Sequence, residues 1–198
     1  MKQPSIYYRE KIVEAAFELV RKVGWESVTT RNIAKKLGSS TMPIYSHVQS
    51  VGELEKELRF KARELQKSYQ QYPYTEHVLL NLAYGYVVFA RDEKNLFRFL
   101  YLESTGEISL GNGKGLKDAF FMEFGEESEE RKALFDLKKT GQEELIQHTW
   151  IFTHGLAMLV NAGSFGSNSD QMIMRFLKNA GEAFYLWDTQ REGENENE

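Results

Sequence analysis

The side chains with the clearest chemical potential lie between residues 29 and 48, where two short helical patterns are joined by a glycine turn. Hydroxyls, a guanidinium, two polar rings and a Met-Pro pair are predicted to form one surface, made of Thr29, Thr30, Arg31, Ser39, Ser40, Thr41, Met42, Pro43, Tyr45 and His47. A helix that merely faces water normally carries Glu or Lys, and the second of these helices has neither. Hydroxyls, Arg and helix-terminal amides bind phosphates, and apolar groups contact thymine methyls. The stretch therefore predicts a surface that reads the major groove of DNA.

Catalytic and metal-binding patterns are missing from the sequence. The absence of Cys excludes disulfides, cysteine zinc sites and thiol nucleophiles. The chain has no Gly-rich phosphate loop, no His-x-x-x-His pair and no Gly-x-Ser-x-Gly elbow. His148 and His154 are six residues apart and fall on different faces of one predicted helix. We therefore expect no enzymatic activity, no cofactor and no metal ion.

Two short helices and a turn must position the surface. Thr29 or Thr30 is predicted to cap the first of them, and Gly38 permits the left-handed turn that ends it. The second covers 41–48 and tolerates Pro43 because the first turn of a helix has no intrahelical acceptor for its amides. This spacing is typical of a helix-turn-helix.

Further helices surround the motif. A one-faced helix that ends at Gly24 precedes it, and a helix of about 20 residues follows, with a capping box at Ser50 to Glu53 and an end before Pro73. Later helices are predicted at 77–91, 93–103, 116–124, 130–139, 142–162 and 171–187. No segment alternates with the period of a strand, and the last 125 residues lack Pro. We predict an all-α chain of about nine helices in total.

Charge is unevenly distributed, although the whole chain carries a formal net charge of −4. Residues 1–72 hold 13 Lys and Arg against 8 Asp and Glu, whereas residues 73–198 hold 12 against 21. The two parts therefore carry +5 and −9. The difference indicates a basic interaction module attached to an acidic body, with chance as the alternative.

The N-terminal part resembles the DNA-binding head of the tetracycline-repressor (TetR) family of bacterial regulators. The matching positions are Ile12, Ala15, Ala16, Gly24, Thr29, Thr30, Ile33, Ala34, Leu37, Gly38, Ser40, Tyr45, His47 and Leu54. The resemblance implies that Tyr45 and His47 contact phosphates and that Thr41, Met42 and Pro43 face bases.

Two positions depart from the family pattern. Val51 stands where the family commonly has a phosphate-binding Lys, and Val48 where it commonly has Phe. Loss of that Lys removes about one counterion from the salt dependence of binding. We therefore expect operator binding to be weakened but not absent.

The C-terminal part shows a second resemblance. Trp150-x-x-x-His154-Gly155 and the segment 85–102 are similar to a subgroup of TetR regulatory domains with a Trp, His, Gly signature. The resemblance implies a sensor domain whose last two helices pair with those of a second subunit in a four-helix bundle. Aromatic residues of the middle helices either line an effector cavity or fill the core. The candidate pocket residues are Tyr86, Phe89, Phe120, Trp150 and His154, and the candidate dimer-interface residues are Met158, Ile173, Phe176, Leu177, Ala180 and Phe184.

These observations predict a three-part organisation. A helix-turn-helix DNA-binding domain covers 1–50, a helical effector-binding and dimerisation domain covers 51–188, and an acidic frayed tail covers 189–198. We expect a homodimeric repressor that leaves a palindromic double-stranded DNA operator when a small-molecule effector binds. The alternative is a small-molecule-binding helical protein that acts through a protein partner. No apolar run reaches the roughly 18 residues of a membrane span, and we expect a cytoplasmic protein.

Overall fold

The computed structural model describes residues 5–48, 50–103, 127, 129, 132, 143–165 and 169–195, and these residues form helices without strands. The predicted all-α class is confirmed. In chain order the α-helices are α1 Ser5–Val23, α2 Thr30–Leu37, α3 Met42–His47, α4 Val51–Gln70, α5 Val78–Asp92, α6 Lys94–Tyr101, α7 Glu143–Asn161 and α8 Ser169–Asn195. A short 3-10 helix, Trp25–Ser27, lies between α1 and α2. The helices predicted at 116–124 and 130–139 lie almost wholly outside the described residues.

The described chain divides into two compact units. The first contains the described residues up to Gln66 and those from Glu93 to 103, and the second contains Lys67–Asp92 and the described residues after 107. Helix α4 thus contributes to both units along its length. Helix α6, which lies within the predicted 51–188 domain, packs in the first unit. The predicted functional boundary at residue 50 stays a prediction.

Helix α1 is the centre of the first unit, where it packs against α2, α3 and α6. Ile12, Ala16 and Val20 are fully buried, because their spacing of four places them on one face of the helix. The α6 end of the unit is held by a charged contact. Arg21 Nε donates to Glu93 Oε2 at 2.8 Å, and Glu93 is only 6% exposed.

The second unit is built from α5, α7 and α8, which all pack against one another. Phe89, Ala157 and Ile173 are fully buried, one from each helix. Asn161 Nδ2 also donates to the Ala90 carbonyl at 2.9 Å, which fixes the end of α7 on α5. The three helices therefore share one apolar core, and the Asn161 side chain supplies a hydrogen bond to a backbone carbonyl beside it.

The last helix extends beyond its predicted end. The periodicity placed its end at residue 187 and a frayed tail at 189–198, but α8 continues to Asn195. The added stretch contains Gln190, Arg191 and Glu192, residue types with high intrinsic helix propensity. Within the described residues, no helix has both the length and the apolarity needed to cross a membrane.

Candidate nucleic-acid interface

The start of α2 is fixed by side-chain hydrogen bonds. Thr29 adopts extended backbone angles and its Oγ1 accepts from the Asn32 backbone N–H at 3.1 Å, so Thr29 is the N-cap. The Asn32 side chain in turn donates to the Ser27 carbonyl at 2.8 Å. Thr30 and the exposed Arg31 therefore occupy the first turn of a well-formed helix, where free amides and a positive charge favour anions.

The turn between α2 and α3 has the conformation predicted from Gly38. The backbone angles of Gly38, φ 62° and ψ 32°, lie in the left-handed region, which favours glycine. The Ser39 N–H donates to the Ala34 carbonyl at 3.0 Å and so closes the end of α2. Ser39 Oγ donates to the Ser40 carbonyl at 3.1 Å. These bonds fix the direction in which α3 leaves α2.

Helix α3 presents an apolar and aromatic surface to solvent. Ile44 is buried, whereas Met42 is 75% exposed and Tyr45 is 68% exposed. Ser40 and Thr41 are also exposed, and Pro43 is half-buried in the first turn of the helix. The predicted outward positions of Ser40, Thr41, Met42 and Tyr45 are confirmed as exposed, and their contact with DNA stays a prediction.

Thr30 and Tyr45 bring the two helices of the motif together at their surface. Thr30 Oγ1 donates to Tyr45 Oη at 3.4 Å, a contact that joins the first turn of α2 to α3. Two hydroxyls predicted to contact phosphate therefore lie side by side. A single phosphate group offers enough acceptor oxygens to bind both of them.

His47 differs from the prediction, which turned its ring outward. The ring is half-buried and packs against Tyr8, with 5.1 Å between ring centroids. His47 Nδ1 lies 2.7 Å from the Pro43 carbonyl oxygen, and since a carbonyl only accepts, the ring proton belongs on Nδ1. Nε2 then donates to a phosphate only when the ring carries both protons.

Tyr8 is a supporting residue that the sequence reasoning missed. It contacts His47 from the first helix, and its hydroxyl is buried without a hydrogen-bond partner among the described residues. The available signal was its spacing of four from the inward-facing Ile12. Tyr8 therefore packs against the last residue of α3.

The cations of α2 are available to solvent. Arg31, Lys35 and Lys36 are exposed and make no ion pair among the described residues. Several cations of α1 and α4 are paired instead, as in the contact of Arg9 with Glu57 at 2.6 Å. Lys35 and Lys36 were not among the predicted DNA-binding residues, although their place beside the turn was visible in the sequence.

The start of α4 bears on the predicted loss of a phosphate contact. Ser50 Oγ accepts from the Glu53 N–H at 3.1 Å, so the predicted cap is confirmed. Val51 follows and is 65% exposed. A lysine at this position would reach solvent, whereas valine offers no charge there. The expectation of weakened binding stays a prediction.

A cavity of about 360 Å³ lies in the second unit. Of the five predicted pocket residues, Tyr86 and Trp150 line it. Phe89 is fully buried in the core against Tyr69, with ring centroids 5.6 Å apart, and does not reach the cavity. His154 stands behind both lining aromatic residues, since its Nδ1 lies 2.8 Å from Tyr86 Oη and its ring stacks on Trp150 at 5.0 Å. Phe120 lies outside the described residues.

The predicted dimer-interface residues separate into two groups. Ile173 and Leu177 are buried within their own unit, so they have no surface left for a partner chain. Phe176 is more exposed, and Met158, Ala180 and Phe184 are half-buried. Other large apolar side chains of these two helices that are exposed are Ile151, Leu159, Tyr185 and Leu186, and the position of a dimer interface stays a prediction. The spacing of eight between Ile151 and Leu159 places both on one face of α7.

Comparison with known proteins supports a helix-turn-helix transcription regulator. No family model matches the chain. Over 59 residues, which are 30% of this chain, the sequence is 34% identical to a Mycobacterium tuberculosis protein named as an uncharacterized HTH-type transcriptional regulator. The match covers 27% of that protein, so the chain spans about a quarter of the length of the curated relative that it matches. The similarity is to a transcription regulator of the helix-turn-helix type and does not identify the TetR family.

Proposed function

We propose that this chain is a TetR-like transcriptional regulator that binds double-stranded DNA through α2 and α3 and acts in the cytoplasm. The observation that carries the proposal is the exposed, acid-free surface of α3. Met42 and Tyr45 project into solvent from a helix that buried Ile44 anchors on its other side. A short anchored helix with such a surface is suited to the major groove.

Within this interface, one group of side chains is suited to binding phosphates and another to contacting bases. Thr30 and Tyr45 lie where α2 and α3 meet, and the exposed Arg31 follows Thr30 in α2. These residues supply the hydroxyls and the charge that phosphates bind. Thr41 and Met42 lie at the beginning of α3, where a recognition helix contacts base edges. The phosphate contacts would fix the position of the protein on the DNA, whereas Thr41 and Met42 would select the base sequence.

The proposed regulator is a homodimer. Support comes from apolar side chains exposed on the last two helices of the second unit, namely Ile151 and Leu159 on α7 and Phe176 and Leu186 on α8. A symmetric four-helix contact would remove these side chains from water. The two recognition helices would then read half-sites about 34–36 Å apart in a palindromic operator.

We further infer that a small molecule releases the protein from its operator, which makes it a repressor. The cavity of the second unit supports this step, because its volume of about 360 Å³ is large enough for a small ligand. Effector and operator binding would be reciprocally coupled, by about 1–3 kcal/mol in typical cases.

A titration of the dimer against DNA upstream of its own and the adjacent gene tests the proposal. Arg31→Ala should weaken binding to every sequence and reduce the slope of log affinity against log salt by about two per dimer, since one phosphate contact is lost in each head. Met42→Ala should instead change which bases are preferred.

Lys22→Ala is the matched control, because Lys22 on α1 is already paired with Glu18 at 3.2 Å. This variant should leave both affinity and salt slope almost unchanged. Absence of a mobility shift on either DNA at low salt would refute the proposal. Retained small-molecule binding in that case would favour the alternative of a sensor that acts through a protein partner.

A further inference from the structure

The cavity of the second unit has an apolar interior. It is lined by residues of α5, α7, α8 and the end of α4 and is partly open to solvent, and its buried walls include Leu82, Leu145 and Leu177. Its volume of about 360 Å³ is near the lower end of the range for small-molecule sites. Space of this size and character suits one compact, mainly apolar molecule.

One polar group in this interior has no partner. Thr153 lines the cavity and is 6% exposed, and its Oγ1 makes no hydrogen bond among the described residues. A buried hydroxyl without a partner is unfavourable, and such groups are rare in folded proteins. A ligand that offers a hydrogen-bonding atom at this point would satisfy it.

The two aromatic walls of the cavity are held in place from behind. His154 stacks on Trp150 with an angle of 6° between ring planes, and its Nδ1 lies 2.8 Å from Tyr86 Oη. Burial lowers the pKa of His154, so the ring is neutral near pH 7. Two aromatic rings in the lining favour a flat ligand that can pack on them, and the imidazole that contacts both adds no charge.

Charged side chains that line the cavity lie only at its exposed rim among the described residues. Lys178 and Glu182 are exposed, carry opposite charges and stand one turn apart on α8, and His77 is exposed as well. The buried lining residue Gln70 is polar but neutral. An ion that entered the interior would lose water without gaining a counter-ion, which is costly.

We propose that this cavity binds an uncharged, flat and mainly apolar molecule whose single polar group pairs with the Thr153 hydroxyl. The inference rests on the proposed effector-responsive function and names the chemical class of its effector. Anionic and cationic molecules of the same shape should bind more weakly, because the interior offers no counter-ion. Binding is measurable without DNA, so failure of this inference is distinguishable from failure of DNA recognition.

Four naphthalenes with one substituent at the same ring position test the inference by calorimetry on the whole 198-residue chain. They are the methyl ketone, the ethyl hydrocarbon, the carboxylate and the aminomethyl cation. The ketone should bind tightest, since Thr153 donates to its carbonyl, and the two ions should bind at least about tenfold more weakly. Equal or tighter binding of an ion, or binding of none of the four, would overturn the proposal.

Variants of the lining threonines test the polar anchor. Thr153→Val should weaken ketone binding by roughly 3- to 10-fold and leave binding of the hydrocarbon unchanged, whereas Thr153→Ser should retain the ketone preference. Thr149→Val is the matched control, because Thr149 lines the same cavity and is less buried. The anchor is assigned to the wrong residue if Thr149→Val abolishes the preference and Thr153→Val retains it.

Discussion

Gly85 lies where α5 and the end of α4 come closest, and its replacement by alanine gives a sharp test of the packing in the second unit. A Cβ on residue 85 would lie 2.2 Å from the Tyr69 carbonyl oxygen and 2.6 Å from Gln70 Cα. Both neighbours are backbone atoms, so no change of rotamer relieves the clash. The two helices must move apart for alanine to fit.

The cost of Gly85→Ala follows from that geometry. Non-bonded contacts are favourable at about 3.5–4 Å, so backbone atoms must shift by more than about 1 Å. Overpacking of this kind costs about 3 kcal/mol at the upper end of its usual range, and the higher helix propensity of alanine recovers about 1 kcal/mol. We expect a net loss of about 2 kcal/mol, which corresponds to a melting temperature lower by about 4–8 °C in a chain of this length.

Thermal unfolding followed by circular dichroism measures this effect. Gly181→Ala on α8 is the matched control, because a Cβ there meets no atom within 4 Å. That variant should be stabilised by about 0.4–1 kcal/mol, since alanine reduces the freedom of the unfolded chain. A Gly85→Ala protein as stable as the Gly181→Ala control would refute the close approach of α4 and α5.

Three further outcomes follow from the described contacts. Glu93→Gln should lower the free energy of unfolding, measured in urea, by about 1–2 kcal/mol, since it removes the buried carboxylate that pairs with the half-exposed Arg21. Glu14→Gln, which removes an exposed partner of Lys61, should lower it by less than about 0.5 kcal/mol. Thr29→Ala should cost about 1 kcal/mol by removing the cap of α2 and Thr29→Ser should cost little, so equal stability of the two would contradict the capping role. Burial lowers the pKa of His154 below its usual 6.5, so the unfolded chain binds this proton at a higher pH than the folded chain does. The free energy of unfolding should therefore decrease as the pH falls below about 6.5. Unfolding experiments between pH 5 and 8 measure this decrease, and the His154→Gln variant should lack the part that His154 contributes.

Local features of the first unit were predictable because they depend on few neighbouring residues. A threonine cap at residue 29 or 30, a left-handed Gly38 and a proline in the first turn of α3 each follow from backbone chemistry, and the structure assigns the cap to Thr29. The sequence therefore predicted the helix-turn-helix and its exposed residues closely. His47 was the exception, because its orientation depends on Tyr8, which lies far away along the chain.

Long-range packing was less predictable. Glu93 pairs with Arg21 across 72 residues of sequence, and nothing in the local pattern of α6 indicates that it packs on α1. The cavity presents the same difficulty. Tyr86 and Phe89 have similar side chains on one helix, yet only Tyr86 reaches the cavity, because the direction of each depends on where α7 and α8 lie.

The apolar residues of α8 fall into a buried group and an exposed group, which the sequence pattern alone did not separate. Helix α8 has enough apolar residues for two faces, and the sequence pattern placed Ile173, Phe176 and Leu177 in one contact surface. Successive side chains of a helix point about 100° apart, so Phe176 and Leu177 face different directions. Ile173 and Leu177 complete the core of their own unit, whereas Phe176 and Leu186 stay exposed. Ile173 and Leu177 therefore stabilise the second unit, whereas Phe176, Tyr185 and Leu186 are the large apolar side chains of α8 that the proposed dimer would cover.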